Sequence, residues 1–364
     1  MGIKKRIPEL DILRGFGIFL AVLGHCITYG NGAAYKTSLA WQSSFVYRII
    51  YSFHMPLLTI VSALALYCSI QKSAQRPAET LIKKVYRLTI PILSWGVFSA
   101  VFYYFFAPDR FPRSANQFFW TCADAYWYLT AILICTSLTL IIHYWLHDSP
   151  LAFAVIVILF FVLPDTHSLA AQKTMFIYYY LAFYCAEKIV QALADGLEDK
   201  HCRLYIGLFL VSLVLFIAIF PWFTGNKTFH VFSFYGIDDP TGRVIHVITR
   251  VALGITGSFL ASVIILAIVT KAEPIGKLLE TIGKESFGIY VLSSWVLEWG
   301  LQRITRDIKP SSVMTLVESL LITGLCYLVT IVVRKISIID YLFFGGKSPD
   351  WNKSGIFISN KKGN

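Results

Sequence analysis

Arg14 and His25 interrupt a single apolar run, eleven residues apart. At about 100° per residue, eleven steps end within about 20° of three full turns. A helix there carries both on one face, ~16 Å apart along its axis. Ionisable groups within a membrane are costly and usually mark a pathway or a site. Histidine titrates near neutrality, which suits a general base. The plainer alternatives are that Arg14 pairs with Asp11 at an interface and that His25 bonds a neighbouring backbone.

Three further groups bear on chemistry. The stretch Tyr51-Ser52-Phe53-His54-Met55-Pro56-Leu57 brings a second histidine from the opposite side. His54 could share the base role, bind an acceptor hydroxyl, or simply sit at the lipid interface. Pro56 is expected to kink its helix and release carbonyls toward a cavity. Lys83, Lys84 and Arg87 form a basic cluster. It suits the phosphates of a nucleotide-bearing donor, and equally an anchor on the positive side of a membrane. Arg243, His246 and Arg250 follow at i, i+3 and i+7, with Gly254 and Gly257 beyond. This stripe reads either as structural pairing with Glu298 and Glu318 or as a polar acceptor site for a sugar, with the glycines admitting a close neighbour.

The elements that position these groups are membrane spans. Hydrophobic residues make up 56% of the 364-residue chain and charged residues 15%, against about 25% charged in soluble domains. Mean hydropathy is +0.64. The apolar residues come in blocks of about 20, enough to cross ~30 Å of hydrocarbon. The expected fold is an all-α, polytopic transmembrane bundle of about ten spans. These run roughly over 10–30, 45–70, 88–107, 125–146, 150–164, 174–193, 204–223, 244–270, 285–302 and 312–334. Residues 1–345 form one integral-membrane unit and 346–364 a short, polar, basic tail. Lys and Arg concentrate in the segments that share a side with the N-terminus, which places both termini in the cytoplasm and the 224–243 loop outside.

Other classes are excluded. The net charge of +11 is spread over short loops, so no basic arm speaks for nucleic acid. Cys26, Cys68, Cys135, Cys185 and Cys326 fall within apolar blocks and read as small buried hydrophobes. No metal-ligand spacing occurs, and no internal repeat supports an inverted-repeat transporter. The basic N-terminus before an apolar run resembles a signal peptide, but Arg14, His25 and the lack of a small-residue cleavage site identify a retained first span.

In series, these stretches resemble the acyltransferase 3 family of bacterial membrane O-acyltransferases. Leu10-Asp11-Ile12-Leu13-Arg14-Gly15 with His25 is similar to the family's opening signature. Phe53-His54-Met55-Pro56-Leu57 with Ser62 resembles its Phe-His-Met-Pro motif, especially in the branch related to fucose 4-O-acetylases. Lys84 to Arg87 with Pro91, Trp127-Tyr128-Leu129, and Gly283-Lys284-Glu285-Ser286-Phe287-Gly288-Ile289-Tyr290 resemble later family elements. Ala63 replaces a usual glycine, and Ser293 stands where many members carry a histidine.

The resemblance implies a multi-pass protein of the bacterial inner membrane that moves an acyl group, commonly acetyl from acetyl-CoA, to a sugar hydroxyl of a surface glycan or its lipid-linked precursor. No cofactor is bound; acyl-CoA is a co-substrate, and the surrounding partner is membrane lipid. His25 and Arg14 are then the catalytic candidates. Lys83, Lys84 and Arg87 are the donor-binding candidates, and His54, Trp127, Arg243, His246 and Arg250 the acceptor-binding ones. The rival readings are a transporter or flippase for a glycan or anion, and a non-catalytic scaffold.

Overall fold

Prolines and small capping side chains set where the helices begin. A computed structural model of the chain describes residues 6–29, 45–71, 76–163, 169–195, 202–223, 239–301, 304 and 311–347. Among these, every regular element is helical. Helix α1 spans Pro8–Tyr29, α2 Phe45–Gln71 and α3 Pro77–Phe106. After a 3-10 turn at Pro108–Arg110 come α4 (Ala115–Ala125), α5 (Trp127–Trp145) and α6 (Pro150–Val162). Then follow α7 (Leu169–Tyr184), α8 (Ala186–Asp195), α9 (Cys202–Ile219) and a 3-10 turn at Phe220–Trp222. The last third holds α10 (Pro240–Lys271), α11 (Glu273–Lys284), α12 (Ser286–Trp295) with a π turn at Val296–Leu301, α13 (Ser312–Val333) and α14 (Ser337–Phe344).

Proline opens α3, α6 and α10, where its missing N–H costs nothing and its fixed φ favours the helix. The hydroxyls of Ser114, Ser149 and Ser311 accept from backbone N–H groups in the first turns of α4, α6 and α13. Pro274 lacks the N–H that would continue α10, so the chain turns at Ala272 into the amphipathic α11.

Among the described residues, seven helices are long and apolar enough to cross a membrane: α1, α2, α3, α5, the 204–222 segment containing α9, α10 and α13. The other three expected segments are helical but interrupted or short. The 150–164 segment holds only 13 helical residues, the 174–193 segment divides at Cys185, and the 285–302 segment passes into a π turn. Two expected boundaries also move. Helix α3 starts at Pro77, a full three turns before residue 88, which places the basic cluster on a helix instead of a loop. The 125–146 segment is preceded by α4 and breaks at Tyr126. Most of the 224–243 loop and of the 346–364 tail lies outside the described residues.

Lipid surrounds this bundle, so helices associate by close packing and not by escape from water. One face of α6 and the long apolar face of α9 stay on the outside, where Leu204, Leu208, Val211 and Leu215 of α9 meet hydrocarbon, while Phe153 and Phe160 of α6 pack on Tyr180 and Phe176 of α7. Small residues mark the tight crossings inside. A Cβ at Gly17 would lie 2.8 Å from Leu58, and one at Gly24 2.6 Å from Tyr51, so α1 and α2 run antiparallel in close contact. Gly254 lies against Tyr178 and Gly257 against Phe53 and Phe216, the close approach expected of these glycines. Pro56 is buried within an α2 that remains helical on both sides.

Candidate functional site

Two glycines organise the main site. Where α1 crosses α11, Gly15 meets the backbone of Leu279 and Gly283, and Gly283 meets that of Asp11 and Gly15. A side chain at either position would collide with a carbonyl, so only glycine permits this approach. The residues next to the two contacts, Arg14 and Lys284, are thereby carried into one cavity. From α3 come Lys84 and Arg87, one turn apart, which the early start of that helix aims at the same space.

The cavity encloses about 350 Å³. Among the described residues, four cations and no carboxylate line it. Each cation is held by a neighbour. Lys84 Nζ donates to Ser69 Oγ at 2.6 Å, and Arg87 Nε to the Gly345 carbonyl at 3.0 Å. Gly345 sits at φ 67°, the left-handed cap of α14, which turns its carbonyl into position. Lys284 pairs with Glu280 at 2.5 Å. Arg14 donates to Asp11 at 3.2 Å, but Asp11 also accepts from Arg6 at 2.6 Å, so its charge is shared. The pairing foreseen as an alternative to function therefore exists, and Arg14 lines the cavity as well.

Hydroxyl groups continue the wall inward. Tyr128 Oη lies 3.4 Å from Ser62 Oγ, Tyr128 N–H donates to Tyr290 Oη at 3.3 Å, and Thr136 Oγ1 lies 2.8 Å from Tyr179 Oη. Lys284, Tyr128, Tyr179 and Tyr290 were not singled out for a role from sequence. Tyr128, Lys284 and Tyr290 sat within the stretches that carried the resemblance, which was the signal available.

The histidines lie elsewhere. Neither His25 nor His54 is among the cavity's lining residues. Helix α1 is unbroken, so His25 keeps the expected face, with Ile18 of the cavity wall between it and Arg14. The antiparallel pairing of Gly24 with Tyr51 brings His25 and His54 to similar depth, within electrostatic reach of each other. His54 is buried, and its Nδ1 lies 2.8 Å from the Ile50 carbonyl. A carbonyl only accepts, so Nδ1 carries the proton and Nε2 is the basic atom of the neutral ring. The Tyr51 ring packs edgewise on that imidazole at 4.7 Å.

The remaining candidates separate. Lys83 is exposed on α3 and does not line the cavity. Trp127 packs beside Tyr128, ring centroids 5.9 Å apart. On α10, Arg250 is buried with its guanidinium 4.4 Å from the centre of the Phe223 ring, and its carbonyl accepts from Tyr178 Oη. Arg48 of α2, unremarked in the sequence, donates to the carbonyls of Phe223 and Phe220. These two arginines clasp the end of α9, while Arg243 and His246 lie two turns and one turn back toward the start of α10. Glu298 pairs with Arg110, and Glu318 lies within electrostatic reach of Cys26 on α1. Ser293, in the place of a family histidine, donates to the Tyr290 carbonyl at 3.1 Å.

Comparison with curated proteins and with solved structures gives no match. The family model described as an acyltransferase domain, acyltransferase 3, matches residues 7–335 and so takes in the cavity's wall apart from Phe344 and Gly345, both histidines and the α10 stripe. The chain belongs to the acyltransferase 3 family.

Proposed function

We propose that this membrane acyltransferase takes its acyl group from acyl-CoA, with acetyl-CoA as the principal donor, and transfers it to a sugar hydroxyl of a surface glycan or its lipid-linked precursor. The observation that carries the reading is the convergence of Arg14, Lys84, Arg87 and Lys284 on one cavity, with no carboxylate among the described residues of its wall. Such a set complements phosphate groups, and arginine adds bidentate geometry. Both termini are cytoplasmic in this reading, so the cavity opens where acyl-CoA is made, in a bacterial inner membrane. The resemblance of residues 53–62 to the fucose 4-O-acetylase branch favours a deoxy or neutral sugar.

The reaction asks for a base. His25 takes the proton of the acceptor hydroxyl as that oxygen attacks the thioester carbonyl; the C–S bond breaks and the CoA thiolate leaves, gaining a proton. His54, with Nε2 as its basic atom, stands beside it toward the acceptor. Arg14 holds the donor on the same helix face. Mass spectrometry of alkali-labile esters on the surface glycan, in cells with and without the intact gene, tests the reading. Gene-dependent esters that also require acyl-CoA in isolated membranes are expected; identical glycans in both strains would contradict it and favour a transporter.

A further inference from the structure

At the opposite end of α3 lies a second, larger cavity of about 870 Å³, between the last turn of α3, the 108–113 turn and one face of α4. We infer that this pocket binds the polyhydroxylated acceptor, an inference that rests on the glycan reading above. The first support is its chemistry. Asn116, Gln117, Trp120, Thr121 and Asp124 all line it. Their spacing confines them to an arc of about 140° on α4. The other face, Phe118 and Cys122, packs on α3 at Gly96. Tyr103 and Trp120 supply aromatic faces for the C–H surface of a sugar ring. Amides and carboxylates supply paired acceptors and donors for neighbouring hydroxyls.

Charge separates this pocket from the basic cavity. Asp109 and Asp124 balance Arg110 and Arg113, and Arg110 is already engaged by Glu298, which raises its pKa above the ordinary arginine value. A balanced, amide-rich, aromatic lining suits a neutral polyol and not a polyphosphate. The volume is that of a ligand-sized site.

Depth is the second support. Asp124 lies about 12 Å further along α4 than Asn116. Ala125, the last residue of α4, still lines this pocket, while Tyr128 and Leu129, one turn on, line the basic cavity. The two spaces therefore back onto each other across the break at Tyr126. That residue is buried, lies 3.1 Å from Ser99 Oγ, and accepts from Trp295 Nε1 at 3.0 Å. An acceptor seated on Trp120 would reach toward the donor cavity from outside without crossing the membrane.

The test uses cells expressing the full-length chain as wild type, Trp120→Leu, Trp120→Phe or Asp124→Asn. Glycan ester content and CoA binding to membranes are measured separately. Trp120→Leu keeps apolar bulk but loses the flat face, so esters should fall at least 10-fold while Trp120→Phe retains at least half. Asp124→Asn should fall several-fold, and CoA binding should hold in all three. Wild-type ester levels in Trp120→Leu and Asp124→Asn, or equal losses in the Leu and Phe forms, would overturn the inference. No ester in wild-type cells above that in cells lacking the gene would instead sink the reaction reading, and the pocket's role with it.

Discussion

The basic cavity and the second pocket share α3 as a wall, about 24 Å apart from Arg87 to Tyr103 along that helix. Among the described residues, one is lined by four cations and no carboxylate, though two of those cations pair with acids behind the wall; the other sets acids beside bases and adds amides and aromatic rings. The difference teaches how one bundle can hold two unlike reactants. A polyanionic donor needs positive charge to spare: Lys84 and Arg87 are anchored on the neutral Ser69 hydroxyl and Gly345 carbonyl, whereas Arg14 and Lys284 share their charge with Asp11 and Glu280. A neutral sugar needs directional hydrogen bonds and a flat face, which a short amphipathic helix supplies.

An all-or-none effect is expected from sidedness. In a cysteine-depleted background, Gln117→Cys should react with an impermeant thiol reagent in intact cells, and Lys83→Cys only after lysis. Both positions are exposed, so accessibility of the side chain is not limiting. The reverse pattern would exchange the cytoplasmic and external cavities and break the assignment of donor and acceptor.

The next largest effect should come from the proposed base. His25→Gln keeps bulk and hydrogen bonding but removes the base, so glycan acylation should drop at least ~100-fold with CoA binding intact. Near-normal acylation would make His25 structural and shift the base to His54, whose tautomer is already fixed by Ile50.

A smaller, structural effect distinguishes the basic cavity alone. Gly283→Ala places a methyl group against the Asp11 carbonyl, forcing α11 away from α1 and Lys284 out of register with Arg14. Overpacking of this kind costs about 1–3 kcal/mol. Thermal unfolding in detergent should show that loss, with CoA binding weakened and the second pocket's ester-determining residues unaffected. A fully stable, fully binding Gly283→Ala protein would remove the crossing from the account.

What the sequence made legible follows from how local each signal was. Arg14, Lys84 and Arg87 were readable because an ion in an apolar block stands out by itself, and the single-face relation of Arg14 to His25 needs only an unbroken helix. Lys284 was not readable as a partner of Arg14, since it depends on a contact between Gly15 and Gly283, far apart in the chain. The true start of α3 was hidden because its first turns are polar and hydropathy registers only the apolar remainder. Helix α4 was hidden for the same reason: its lining face is polar, so residues 108–124 read as a connection. The α10 stripe shows the converse. Its periodicity was correct, but Arg250 packs on Phe223, a ring contact that no spacing foretells.

The central claim is that the basic cavity receives the phosphates of the donor. Equilibrium binding of labelled CoA to membranes holding wild type or Lys84→Ala/Arg87→Ala tests it most directly. Loss of two charge-assisted contacts should weaken binding by about 2–4 kcal/mol, roughly 30-fold to several-hundred-fold, in a variant that still inserts and unfolds like wild type. Unchanged CoA affinity in that variant would contradict the claim and return the cluster to a membrane anchor.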